Sequence, residues 1–266
     1  MSRFLRALAA IWRVALAVMI QYRGEVMLWA LWGIIYPAVA LTMWSAAIGD
    51  AGDIRGYDRR GFAAYFLVTM ICGHVCAAWD AYEFGHLVRS GALSPRLLRP
   101  ILPMWSSLAE NLAYKTVTLT ILIPLWLAVA WVTHPHFSTT PGQLLLGMLS
   151  LVLGALIAYV WGYNIALLAF WTTRTDAIGE FWFGGSLLLG GRLAPLALLP
   201  TPLKWLAACL PFQWVVWFPA QVLIGKAAAE EIALGLLAQV GWLAGGVAVF
   251  RITWRRGLRQ YSAVGA

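Results

Sequence analysis

The chain has 266 residues, 62% hydrophobic and only 11% charged, a balance that excludes a soluble globular domain and places it among polytopic membrane proteins. A formal charge of +8 would suggest nucleic acid in a soluble protein, but here the basic residues cluster beside apolar runs, where anionic lipid and topology account for them, so no nucleic-acid partner is expected. Cys72, Cys76 and Cys209 are an odd number in apolar segments, so no disulfide framework follows.

Residues 2–21 put Arg3, Arg6 and Arg13 on one arc of a helix and Phe4, Leu5, Leu8, Ile11, Trp12, Ala15 and Met19 on the other. This predicts an amphipathic helix in the cytoplasmic interface. A signal peptide fits less well, because the basic region is too long and the next apolar run is long enough to span. Span one covers about 26–48, with a kink expected at Pro37. In the next connection Asp50, Asp53 and Asp58 offset Arg55, Arg59 and Arg60, so it can face outwards.

Span two covers about 62–84 and carries Cys72, His74 and Cys76, but residues two apart point to different helix faces, which argues against a metal site. Asp80 and Glu83 share a face near its cytoplasmic end; they read either as carboxylates reaching the interface or a loop arginine, or as a proton relay. The loop 85–103 is basic through Arg89, Arg96 and Arg99, and its prolines bound a short helix, so it belongs in the cytoplasm. Span three covers about 107–132, with Glu110 and Lys115 in its first turns satisfying each other or the headgroups. The turn holding His134 and His136 offers too few ligands for a metal.

Span four, about 144–171, spaces Gly147, Ser150, Gly154, Ala158 and Gly162 three or four apart, a stripe that admits close approach of another helix. Arg174, Asp176 and Glu180 mark a cytoplasmic turn, after which span five runs to about 198. From Gly190 to Gly225 the chain is apolar, yet Pro195, Pro200, Pro202, Pro211 and Pro219 interrupt it. A crossing needs ~20 apolar residues, and the piece from Pro211 to Gly225 would rise only about 20 Å as a helix. We therefore expect a re-entrant hairpin over 200–226, with two helices lying flat on the outer surface as the alternative. Charge parity favours the hairpin: a full crossing would deliver Arg251, Arg255, Arg256 and Arg259, which follow span six (232–250), to the outside. Pro195, Pro200, Pro211, Phe212, Trp214 and Pro219 are its candidate gate residues, and Arg192 just before it reads as a snorkelling arginine or as a contact for an anionic headgroup.

The expected fold is thus an all-α polytopic membrane protein: an interfacial helix over 1–24, then a six-span domain over 25–266 with both termini inside. No GxxxxGK[ST] phosphate loop is present, since Gly225-Lys226 is followed by Ala227, so no ATPase activity of its own is expected. A rhomboid-like peptidase using Ser186 lacks a histidine after His136 to act as base, and a proton-coupled carrier would have to use Asp80, Glu83 or Glu110.

Three stretches, GGRLAPLALLPTPLKWLAACLPFQW, VRSGALSPRLLRPILP and WRRGLRQYSAVGA, resemble the permease subunits of type-2 ABC transporters, in particular a largely uncharacterised subgroup. The resemblance implies a dimer of permeases, the same or paralogous, carried by two ABC ATPase subunits that use ATP and Mg while this chain binds no cofactor or metal. It further implies ATPase docking through the N-terminal helix (Arg3, Arg6) and the 85–103 loop (Arg89, Leu93, Arg96, Leu98, Arg99), and export of a hydrophobic or amphiphilic solute across a prokaryotic inner membrane.

Overall fold

A computed structural model describes residues 3–49, 52–172 and 175–261, leaving aside the side chains of Arg3 and Ala81; Asp50 and Arg174 lie outside these ranges. Twelve α-helices follow one another among the described residues: α1 Arg3–Gln21, α2 Arg23–Ile48, α3 Arg59–Val75, α4 Asp80–Arg89, α5 Leu93–Leu97, α6 Pro103–Thr133, α7 Pro141–Ala166, α8 Thr175–Leu189, α9 Thr201–Ala208, α10 Phe212–Val215, α11 Trp217–Leu223 and α12 Ala229–Gln260. Short 3₁₀ turns extend α7 through Phe170 and precede α9 at Leu196–Leu198. The protein is an all-α polytopic membrane protein.

Helix starts follow local chemistry. Asp58 accepts a hydrogen bond from the Gly61 N–H at 2.7 Å to begin α3, and Thr140 with Gln143 forms a capping box in front of Pro141 to begin α7. Glu231 accepts from the Ala228 N–H at 2.8 Å at the start of α12.

Five helices, α1, α2, α6, α7 with its 3₁₀ extension, and α12, are long and apolar enough to cross a bilayer, and the bent pair of α9 with α10 and α11 would make a sixth by length. The spans expected from the sequence are distributed differently. They fall on α2, on α3 with α4, on α6, on α7, on α8 with the irregular stretch after it, and on α12. Span two is broken at Cys76–Trp79, where the freed carbonyl of Ala77 takes a hydrogen bond from Asn111 Nδ2 of α6 at 3.1 Å. That side chain replaces the lost ladder bond and makes the break tolerable at membrane depth. Span five is helical for only 15 residues, about 22 Å, and ends where Gly191 turns at φ +77 against Tyr65 and Trp217.

The N-terminal helix has the amphipathic division read from its sequence, with Arg6 and Arg13 exposed. Its apolar stripe through Leu8, Trp12, Ala15 and Met19 is covered in part by α6, and Phe4 meets Trp105 edge-on at 5.6 Å.

The bundle has two distinct ends. One carries the turns 52–58, 134–140 and 225–228, joined by hydrogen bonds such as Ser138 Oγ to the Ile224 carbonyl (3.2 Å). The other carries the basic loop around α5 and the end of α12, joined by Ser94 Oγ and Tyr261 Oη at 2.9 Å and by Phe84, Leu93, Phe170 and Trp254 in one apolar cluster. We call these the turn end and the basic end.

Candidate functional site

Both flanks of the proline-rich segment are anchored to one loop at the turn end. Arg55 Nη1 donates to the Ala197 carbonyl at 2.6 Å, and Lys226 Nζ donates to the Gly56 carbonyl at 2.6 Å while lying 3.2 Å from the centre of the Tyr57 ring. Partial burial moves the Lys226 ammonium below its ordinary range and the Tyr57 phenol above its own, desolvation being the main cause in both. Trp44 Nε1 adds a bond to the Leu193 carbonyl at 2.9 Å, and Tyr57 pairs with Gln221 of α11. A segment entering and leaving beside residues 55 and 56 turns back on itself.

Between its flanks the segment goes deep. Gln239 lies about 15 Å into α12 at 1.5 Å per residue, and its Nε2 donates to the Trp214 carbonyl (2.7 Å) and the Ser150 carbonyl (2.9 Å). Cys76 Sγ donates to the Val215 carbonyl at 3.3 Å. The carbonyls left without a ladder partner at the end of α10 are thereby satisfied by protein groups, the condition for broken helix at that depth. Between its first arm, α9, and its second, α10 with α11, the chain bends by 71°. The second arm is buried between α3 and α7 through Phe218, Ala220 and Val222, whereas the first arm leaves Trp205 and Leu206 exposed. Thr139 Oγ1 caps it by donating to the Leu223 carbonyl at 2.6 Å.

The candidate gate residues occupy distinct places along this path. Pro195 and Pro211 are buried at the two bends and Pro200 is exposed ahead of α9. Phe212 packs on Trp182 of α8 at 4.5 Å, Trp214 meets Phe218 edge-on at 5.5 Å, and Pro219 is buried within α11. The small-residue stripe of α7 faces the hairpin: a Cβ at Gly147 would meet Leu223, and one at Gly154 would meet the Val215 carbonyl.

At the basic end the candidate docking residues divide into an inner and an outer set. Leu93 is fully buried, and Arg96 turns inwards to Glu83 (3.6 Å) and Glu110 (3.8 Å), joining α5 to α4 and α6. Arg89 reaches α8 through Asp176 at 3.3 Å and Thr175 at 3.2 Å. Leu98, 88% exposed, and Arg99 face outwards, as does Arg6; the Arg3 side chain lies outside those described. Glu110 therefore pairs with the loop rather than with Lys115, and Asp80 is buried beneath the same cluster.

A cavity of about 210 Å³ lies between α2, α3, α6 and α8. Among the described residues Arg192 is the one charged side chain lining it; the residue is half-buried, with its Nε closed off and without a hydrogen-bond partner. His74 also lines the cavity, with Nε2 at 3.1 Å from Thr118 Oγ1. The sequence signals Arg192 but not its aromatic neighbours Trp29, Trp32 and Phe183, because they converge from separate helices.

These features make an all-helical membrane bundle with a proline-broken segment anchored at one end and an arginine-bearing loop at the other. The chain belongs to the ABC-2 transporter family: the family model described as ABC-2 family transporter protein matches residues 25–265, in agreement with the three stretches that resemble type-2 permeases. Membership makes it the membrane component of an ABC transporter working with an ABC ATPase. Comparison with curated proteins finds no matching relative.

Proposed function

We propose that this chain is the membrane-spanning subunit of an ATP-driven exporter of a hydrophobic or amphiphilic solute, in the class of drugs, lipids or glycoconjugates. The observation that carries this reading is the hairpin whose two flanks share the 52–58 loop, within a chain of the ABC-2 family. The positive-inside rule puts the basic end, with Arg89, Arg96, Arg99 and the arginines ending α12, in the cytoplasm of a prokaryotic inner membrane, together with both termini. The turn end and the hairpin then face outwards, where the hairpin serves as the gate.

Docking of the ATPase falls to the exposed outer set, Leu98, Arg99 and Arg6, while Arg89, Leu93 and Arg96 pass its movement to α4, α6 and α8. A short helix ionically tied to two spans transmits a rigid-body displacement without absorbing it. Two ATPase copies and a second permease, the same or paralogous, complete the complex. ATP and Mg belong to the ATPase, and this chain binds no cofactor or metal of its own. Affinity purification from native membranes tests the proposal. An ABC ATPase is expected with the wild-type chain and is expected to be lost when Leu98→Asp and Arg99→Glu are combined; a chain recovered without any ATPase would overturn it.

A further inference from the structure

We propose that the cavity between α2, α3, α6 and α8 is the binding site for an amphiphile with a single anionic headgroup, which Arg192 receives. This deepens the transport reading and rests on it for the word substrate. A guanidinium stays charged in a protein, and a buried charge without a counterion is costly. Among the described residues no carboxylate lies within ion-pair distance of Arg192, and its Nε donates to nothing. Thr69, Gly73 and His74 of α3 line the cavity beside it, and Arg192 keeps partial exposure there while its Nε is closed off, so the open part of the guanidinium borders the cavity rather than a protein acceptor. An ionisable group at membrane depth calls for a named partner, and the one this cavity can admit is the ligand's anion.

Size and walls define the rest of the ligand. About 210 Å³ is below the usual ~300–1,000 Å³ of a pocket that encloses a whole drug-sized molecule. The cavity therefore takes a headgroup and the first part of a chain. The remainder leaves past Trp29, Trp32 and Phe183, which are 63%, 51% and 43% exposed and form an aromatic rim between α2 and α8. Aromatic rims suit the boundary between a polar group and an alkyl tail.

The test uses the purified full-length chain in phosphatidylcholine nanodiscs, titrated calorimetrically with dodecyl phosphate and with dodecyl maltoside. Charge-assisted hydrogen bonding to the guanidinium predicts at least about tenfold tighter binding of the phosphate. Arg192→Gln is expected to bring the two ligands level and Arg192→Lys to keep part of the difference. Gly73 lines the cavity, and a Cβ added there would meet no atom within 4 Å. Gly73→Leu therefore fills the space without touching the charge, and is expected to abolish both affinities while the thermal midpoint is kept. A second arm replaces part of the phosphatidylcholine by phosphatidylglycerol. If this suppresses the dodecyl phosphate signal, the bilayer lipid is the source of the anion, and if the signal persists, a free amphiphile is; both outcomes support the site. Equal wild-type affinity for the two ligands, or a preference retained in Arg192→Gln, would overturn it. Such a failure leaves ATPase association standing, because that is read from purification and not from binding.

Discussion

Gly191 and Gly225 sit at φ +77 and +79, and each is pressed against a neighbour: Gly191 against Tyr65 and Trp217, Gly225 against the backbone of Ser138 and Thr139. A side chain at either position meets both an unfavourable backbone conformation and an occupied space. Alanine at either is expected to cost about 1–3 kcal/mol, read as a lower thermal midpoint of the purified chain, whereas Gly33→Ala on α2, with nothing within 4 Å, is expected to be neutral or stabilising. A second contrast at this scale separates Arg96 from Arg99. Arg96→Glu would place three carboxylates together with Glu83 and Glu110, and because these side chains are largely buried the expected loss of permease stability exceeds the ~1 kcal/mol of an exposed ion pair. Arg99→Glu should leave the midpoint unchanged and weaken ATPase recovery alone. The two arginines look alike in the sequence; only the positions of Glu83 and Glu110 on other helices distinguish them.

Among the elements, the hairpin is legible in the sequence because its signal is local: prolines in an apolar stretch too short to cross between interruptions. The break between α3 and α4 is not, because no proline or glycine marks Cys76–Trp79 and the group that satisfies its freed carbonyl, Asn111, comes from α6. The stripe on α7 is legible as a close-approach face, but its partner is not, since spacing on one helix says nothing about which backbone arrives. That partner is the hairpin's second arm, Val215 at its tip meeting Gly154 and Leu223 at its end meeting Gly147. Gly154→Leu is therefore expected to displace Val215 from α7 and break the Gln239 bond to Trp214, lowering the thermal midpoint, while Gly142→Leu at the exposed start of the same helix is expected to leave it unchanged. Equal midpoints for the two variants would show that the stripe does not seat the hairpin.

For the molecule as a whole, the end-to-end charge difference and the path of the chain have to agree, and the 52–58 loop is where they can be compared. Arg55 and Lys226 tie both flanks of the hairpin to it, so sites on either flank must lie in the same compartment whichever way the bundle is oriented. Thr201 and Ala228 are exposed on those flanks and Cys209 is the exposed native thiol, Cys72 and Cys76 being buried. In a Cys209→Ser background, single Thr201→Cys and Ala228→Cys variants are expected to react with a membrane-impermeant maleimide added to intact cells, and Arg256→Cys at the basic end is expected to react only after the membrane is opened. Reaction of the two flanking sites from opposite compartments would mean that the segment crosses, which would place the arginines of α12 outside against the positive-inside rule. The gate, the docking face and the orientation of the cavity would then all have to be reassigned, because each is defined by which end of the bundle meets the ATPase.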